Sequence, residues 1–263
     1  MTANDLTRLK EWFSAYTKSF YSSSEEDQKN ILLKVEHTRN VCGNIVRIAD
    51  EVAPGADEKR LAEATALFHD VGRFPQYARY RTFRDAVSTN HGHLGAKVLA
   101  EENALAGLPA DERDLIILTV KFHNAFAIPD TVDDRTAFFL KMVRDADKLD
   151  IFRVFIEYYE SPEDERASAV AYGLPDTPEY SPGILSCLSE GKIASYVNLK
   201  TVNDFKLMKL SWIYGMNFDI SLRMLRERGY TGRIAGKLPQ TPAILSAIGH
   251  LEEYISGRLK NGH

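Results

Sequence analysis

DEKRLAEATALFHDVGRF, residues 57–74, decides how this chain is read. Residues 57–70 form a helical stretch that stops near Gly72 and Pro75. It ends on an adjacent pair, His69 and Asp70, whose side chains point about 100° apart on a helical surface. Both reach one site only if the helix end lies at its centre. Gly72 permits that, because glycine lets a helix stop and leaves the pair at its mouth.

Helical periodicity extends on both sides. Leu6, Leu9, Phe13, Tyr16 and Phe20 recur at three- and four-residue steps, the stripe of an amphipathic helix. Ser23 with Glu26 reads as a capping box. It opens a helix through Ile31, Val35, Val41, Ile45 and Ile48 that ends near Pro54 and Gly55. Further helices are expected at 91–106, 109–124, 133–160, 183–190, 201–227 and 242–258, with a Gly- and Pro-containing break over 229–241. Residues 75–90 read as a loop. Residues 161–182, with four prolines, read as a long surface excursion of the kind that serves as a lid. Strand-like alternation is scarce, so the predicted fold class is all-α.

At 263 residues with 44% hydrophobic side chains, the chain buries a full core without disulfides. Cys42 and Cys187 fit neither a disulfide framework nor a zinc-finger spacing, and are expected to be buried and reduced. Lys and Arg number 33 against 37 Asp and Glu, a net charge of −4, which gives no drive toward long nucleic acids or acidic membranes. The opening MTANDLTRLKEWF is polar where a signal peptide needs an apolar run, and no stretch approaches the ~18 apolar residues of a membrane span. The expected location is cytoplasmic.

Six residues read as ligands of one metal centre: His37, His69, Asp70, His91, His123 and Asp147. His37 continues the inward stripe of Leu33 and Val41. His123 closes the stripe of Ile116 and Val120, and Asp147 follows Phe139 and Val143 at four-residue steps. A buried aspartate without a partner is costly, and metal coordination is one way to remove that cost. Taken singly, an inward histidine is an ordinary satisfied core residue. Three helices that each put a ligand-competent group on an apolar face make a stronger pattern. Four imidazoles and two carboxylates are enough for two divalent transition-metal ions, and Mn, Fe, Co, Ni and Zn all suit this donor set. His93, His250 and His263 are assigned to the surface or the terminus, although HGH at 91–93 offers two choices.

In order, EHTRNVCGNIVRIA, LFHDVGRF, NHGHLGA, KFHN and RDADKLD resemble the elements of the HD-domain superfamily, named for its His-Asp doublet. The doublet element is normally HDxGK or HDxGR. NHGHLGA is similar to the family's HxxxGA, which puts His91 rather than His93 in the ligand position. The resemblance covers residues 31–151. It implies a compact helical HD-domain bundle around a metal site, in a single domain over 1–263 with a C-terminal helical extension at 183–258. It also implies two ions, one held by His37, His69, Asp70 and Asp147, the other by His91 and His123, with Asp70 bridging. The Gly-Tyr-Pro motif of cyclic-dinucleotide phosphodiesterases does not follow His123, where the chain reads NAFAIPD.

The activity implied is that of a metal-dependent phosphohydrolase acting on a small phosphorylated molecule or nucleotide, with a metal-activated water as nucleophile. Asp70, Arg73 and Lys148 are the candidate catalytic residues, and Arg73 and Arg81 the candidate substrate contacts. Arg73 lies just past the doublet, where it either grips the substrate's anionic group or forms a structural salt bridge to a carboxylate such as Asp85, and Lys148 lies just past Asp147. Arg79, Arg81 and Arg84 make the 73–84 segment basic within an acidic protein. Tyr77 and Tyr80 either stack on a base or simply line the loop. A di-iron oxygenase remains an alternative, since relatives such as myo-inositol oxygenase use the same ligand order. A non-catalytic metal- or ligand-binding protein is a third.

Overall fold

The computed structural model describes residues 1–162, 164, 166–168 and 173–261. They form helices α1 (Ala3–Lys18), α2 (Glu25–Val52), α3 (Ala56–Phe68), α4 (Arg73–Tyr80), α5 (His91–Glu101), α6 (Ala110–Phe122), α7 (Asp134–Glu160), α8 (Pro182–Ser189), α9 (Val202–Ser211), α10 (Asp219–Glu227), α11 (Tyr230–Ala235) and α12 (Pro242–Asn261). No strand occurs among the described residues, and the fold is all-α. Two units divide the chain: Met1–Ile151 with Pro162–Val170, and Phe152–Ser161 with Ala171–His263.

The first unit is built around α3. That helix is buried over most of its circumference, including Leu61, Ala62, Ala64, Thr65, Ala66 and Phe68, because α1, α2 and α6 all pack on it. The stripe of α1 supplies Trp12 and Phe13, whose rings meet Phe68 edge-on at 5.8 and 6.4 Å. Burying a phenylalanine of this kind contributes roughly 1.5–3 kcal/mol. On α2, Val41, Ile45 and Ile48 are fully buried on the face that also carries His37. Asn44 Nδ2 donates to Ala146 O at 3.0 Å and pins α2 to α7. In the second unit, α9 is buried along its whole length, with α8 and α11 packed on it.

Several local readings are corrected. Residues 75–90 are not a loop throughout: α4 runs to Tyr80, and a 3-10 turn covers Asp85–Val87. Pro75 falls in the first turn of α4, where backbone N–H groups have no helical partner in any case, and Phe74 and Tyr77 bury one face. The cap of α2 is Ser24, not Ser23. Ser24 Oγ accepts from Asp27 N at 3.4 Å, while Glu26 is bonded to Asn30 and Ser168. The helix expected to reach 106 ends at Glu101, just before Asn103 turns left-handed at φ 49°, a conformation asparagine tolerates better than most residues. The 201–227 span breaks at the 3-10 turn Trp212–Gly215, and the 229–241 break contains α11. Cys42 and Cys187 are free but half-buried, and burial pushes the Cys42 thiol up to about 12. Between Glu160 and Pro182 the described residues form no α-helix. The lid assigned to 161–182 falls partly on residues 163, 165 and 169–172, which lie outside the described residues.

Candidate metal centre

Two helix ends and three helix faces or starts supply the cluster. His69 is the C-cap residue of α3 and His123 that of α6. Each ring donates Nδ1–H to the carbonyl three residues back on its own helix, Ala66 O at 2.7 Å and Val120 O at 2.8 Å. ALFHD at 66–70 and VKFHN at 120–124 thus build the same device twice. His37 and His91 are held by carboxylates instead: His37 Nδ1 donates to Asp150 Oδ2 and His91 Nδ1 to Asp85 Oδ2, both at 2.7 Å. Carbonyl and carboxylate oxygens only accept, so Nδ1 carries a proton in all four rings and Nε2 is left facing the centre.

The Nε2 atoms meet in two pairs. Those of His37 and His69 are 3.2 Å apart, those of His91 and His123 3.0 Å. Two facing lone pairs at that separation repel unless a cation joins them. Two nitrogens in adjacent positions on one ion, with bonds of about 2.1 Å, lie about 3.0 Å apart. Asp70 stands between the pairs and divides its oxygens. Oδ2 is 3.5 and 3.7 Å from the His37 and His69 nitrogens, and Oδ1 is 3.3 and 3.8 Å from those of His91 and His123. Asp147 Oδ1 joins the first pair, 3.1 Å from His37 Nε2 and 3.8 Å from His69 Nε2. The donors present fit divalent metal on either side of Asp70: His37, His69 and Asp70 form one ligand-competent group, and Asp70, His91 and His123 the other.

For every member of the cluster except His37, the electrostatics favour the metal-binding protonation state. Burial pushes the His91 and His123 imidazoles down to about 4, helped by Arg73 beside the first and His69 beside the second. Burial also lowers His69. His37 goes the other way: burial and Lys34 act to lower it, but hydrogen bonds to Asp147 and Asp150 outweigh them. Burial alone would raise Asp70, yet Lys34, His69 and Arg73 hold it well below the usual carboxylate range. Against the same burial, His91 and Arg73 hold Asp85 low, and His37 and His69 hold Asp147 low. Neutral imidazoles and ionised carboxylates are the forms that ligate metal.

A family model, the HD domain, matches residues 35–168, just over half of the chain. The chain belongs to the HD-domain family. All six clustered residues of this HD domain lie inside the matched span, and the superfamily is one of metal-dependent phosphohydrolases. Comparison with curated proteins and with solved structures gave no match. Among the described residues no helix is long and apolar enough to cross a membrane.

The other candidate residues of the HD domain are placed as follows. Arg73 engages Nη1, which donates to Gln76 Oε1 at 2.8 Å, to Asp85 Oδ1 at 2.9 Å and to Phe83 O, while its Nε is buried without a hydrogen-bond partner 3.4 Å from Asp70 Oδ1. Arg81 has an exposed side chain paired with Asp27 at 2.6 Å. Lys148 is half-buried, and burial pushes its ammonium down to about 8. Tyr77 is buried, its hydroxyl donating to Asp27, whereas Tyr80 is exposed. Gly72 has a φ of −69°, so its role is not that of a left-handed stop. It is small because α5 starts against it: a Cβ there would lie 2.2 Å from His91 O and 2.5 Å from Gly95 N.

Sequence reasoning missed Lys34, Asp150 and the bond of Asp85 to His91. Lys34 precedes His37 by three residues and Asp150 follows Asp147 by three, so helical spacing could have flagged both. Asp85 lies in the 3-10 turn, where no periodicity points to it. Removing a carboxylate that orients a ligating histidine typically costs 10–100-fold in metal affinity, roughly the loss expected for Asp85→Asn and for Asp150→Asn. Titration against a chelator should place the Asp85 effect on the His91–His123 pair and the Asp150 effect on the His37–His69 pair. His93 is exposed on α5, with its ring 6.3 Å from that of Phe122. His93→Ala should leave metal content unchanged. If His93→Ala emptied the site while His91→Ala did not, the assignment within HGH would be reversed.

Proposed function

We propose that this HD-domain protein is a metal-dependent phosphohydrolase that cleaves a phosphomonoester or phosphodiester of a small molecule or nucleotide. His37, His69, Asp70 and Asp147 would hold one divalent ion, and Asp70, His91 and His123 a second. The observation that carries this reading is the set of four inward Nε2 atoms, arranged in two pairs on the two oxygens of Asp70. When bound, such ions supply hydroxide near neutral pH from a coordinated water and stabilise charge on phosphoryl oxygens.

The chain's own groups prepare that chemistry. Asp150, Asp85 and the Ala66 and Val120 carbonyls fix each ring in one tautomer and orientation, so no reorganisation is needed when charge develops. Among the described residues, Asp70 is the one carboxylate that faces both pairs. Arg73 spends Nη1 on Asp85, Gln76 and Phe83 O and so braces the Asp85–His91 pair, while its other N–H groups keep it a candidate catalytic and substrate contact. Lys148, next to Asp147, is a candidate phosphate contact, and Arg81 a more remote one. The same reading takes 1–263 as one HD-type domain with a helical extension.

The test is a screen of phosphorylated metabolites against protein loaded with Mn, Fe, Co, Ni or Zn, reading phosphate release. Release that disappears in Asp70→Ala is the expected result. Dioxygen consumption with a mixed-valent iron signal in electron paramagnetic resonance, and no phosphate release, would replace the hydrolase with an oxygenase.

A further inference from the structure

We propose that Lys34 is the side chain that grips the anionic group of the substrate. This deepens, and rests on, the phosphohydrolase reading. Lys34 sits on α2 one turn before His37, and its Nζ donates to Asp70 Oδ2 at 2.7 Å. An ammonium has three N–H donors. Among the described residues, Asp70 is the hydrogen-bond partner that Lys34 has, and Nζ lies over the Phe83 ring, 5.2 Å from its centre. Two donors are therefore left over on a side chain that is only 15% exposed. A cation so far withdrawn from water is costly to hold unless its donors find partners.

Position gives those donors a direction. Asp70 has a cation on each oxygen, Lys34 on Oδ2 and Arg73 near Oδ1. Arg73 has turned its Nη1 to Asp85, Gln76 and the Phe83 carbonyl. Lys34 has no such engagement. The four imidazoles are at most 5% exposed, whereas Asp147, on the same Oδ2 side of the cluster as Lys34, is 19% exposed. A molecule approaching the cluster from solvent on that side meets Lys34 and Asp147 before any histidine. Asp147 repels an anion and Lys34 attracts one. An oxyanion seated beside the His37–His69 pair can accept the two spare N–H groups while Asp70 keeps the third.

The experiment uses the metal-loaded full chain with inorganic phosphate as the probe, read by isothermal titration calorimetry, with metal content measured on the same samples. Hydrogen bonds to charged groups contribute enough that Lys34→Met should weaken phosphate binding by about 10- to 100-fold at unchanged metal content, with Lys34→Arg recovering part of it. Equal binding by wild type and Lys34→Met, whether or not metal affinity rises in the variant, would reduce Lys34 to a counter-charge for Asp70. That result overturns the inference and leaves the phosphohydrolase reading standing. A metal-loaded wild type that binds no phosphate would instead remove that reading, and this one with it.

Discussion

Asp70→Ala is expected to empty both halves of the centre and to abolish turnover. No other ligand candidate faces both nitrogen pairs: Asp70 Oδ2 lies toward His37 and His69, and Oδ1 toward His91 and His123. Removing a single group that stabilises transition-state charge already costs about 10²–10³ in rate, so loss of a ligand shared by two sites should exceed about 10³. The metal-free protein should suffer as well. Lys34 and Arg73 both compensate the Asp70 charge, and breaking a buried ion pair from one side costs about 3–5 kcal/mol, discounted here because Lys34 keeps some contact with water. Elemental analysis, phosphate release and a melting curve on one preparation check all three effects. Asp70→Asn, nearly isosteric, separates ligand loss from packing loss. Wild-type metal stoichiometry in Asp70→Ala would end the shared-ligand assignment.

Gly72→Ala should be the most damaging single methyl in the first unit. The added Cβ would lie 2.2 Å from His91 O and 2.5 Å from Gly95 N, both backbone atoms that no rotamer change can move aside. Overpacking of well-packed positions costs typically 1–3 kcal/mol, and a clash with backbone belongs at or above the top of that range, about 3 kcal/mol. Relief requires the start of α5 to retreat, which carries His91 away from Asp70. Metal at the His91–His123 pair should therefore be lost before metal at the His37–His69 pair. Gly43→Ala is the control. Nothing lies within 4 Å of a Cβ there, and the residue sits inside α2. Replacing a helix-interior glycine by alanine should stabilise the protein by up to about 1 kcal/mol. Denaturation midpoints that move in opposite directions for the two alanines are the expected result. A Gly72→Ala protein as stable as wild type would show that α5 does not need this close approach.

Helical class and the order of ligand-type residues were legible in the chain alone, because both are short-range properties. Leu9 and Phe13, or Val41, Ile45 and Ile48, announce a buried helical face by spacing, and His37 and Asp147 stand out as polar groups on such faces. Tertiary structure decided everything that depends on which faces meet. Asp85 reaches His91 from a turn without periodicity, and Asp150 reaches His37 across 113 residues of sequence. The bonds from Arg73 to Asp85 and from Lys34 to Asp70 likewise depend on which elements pack together. Gly72 was legible as glycine but not for its reason: the stop is local, whereas the missing Cβ is demanded by α5, which the chain brings back only some twenty residues later. Periodicity tells a residue which way to face. Only packing tells it what it will find there, since burial of apolar surface selects the partner face without regard to sequence distance.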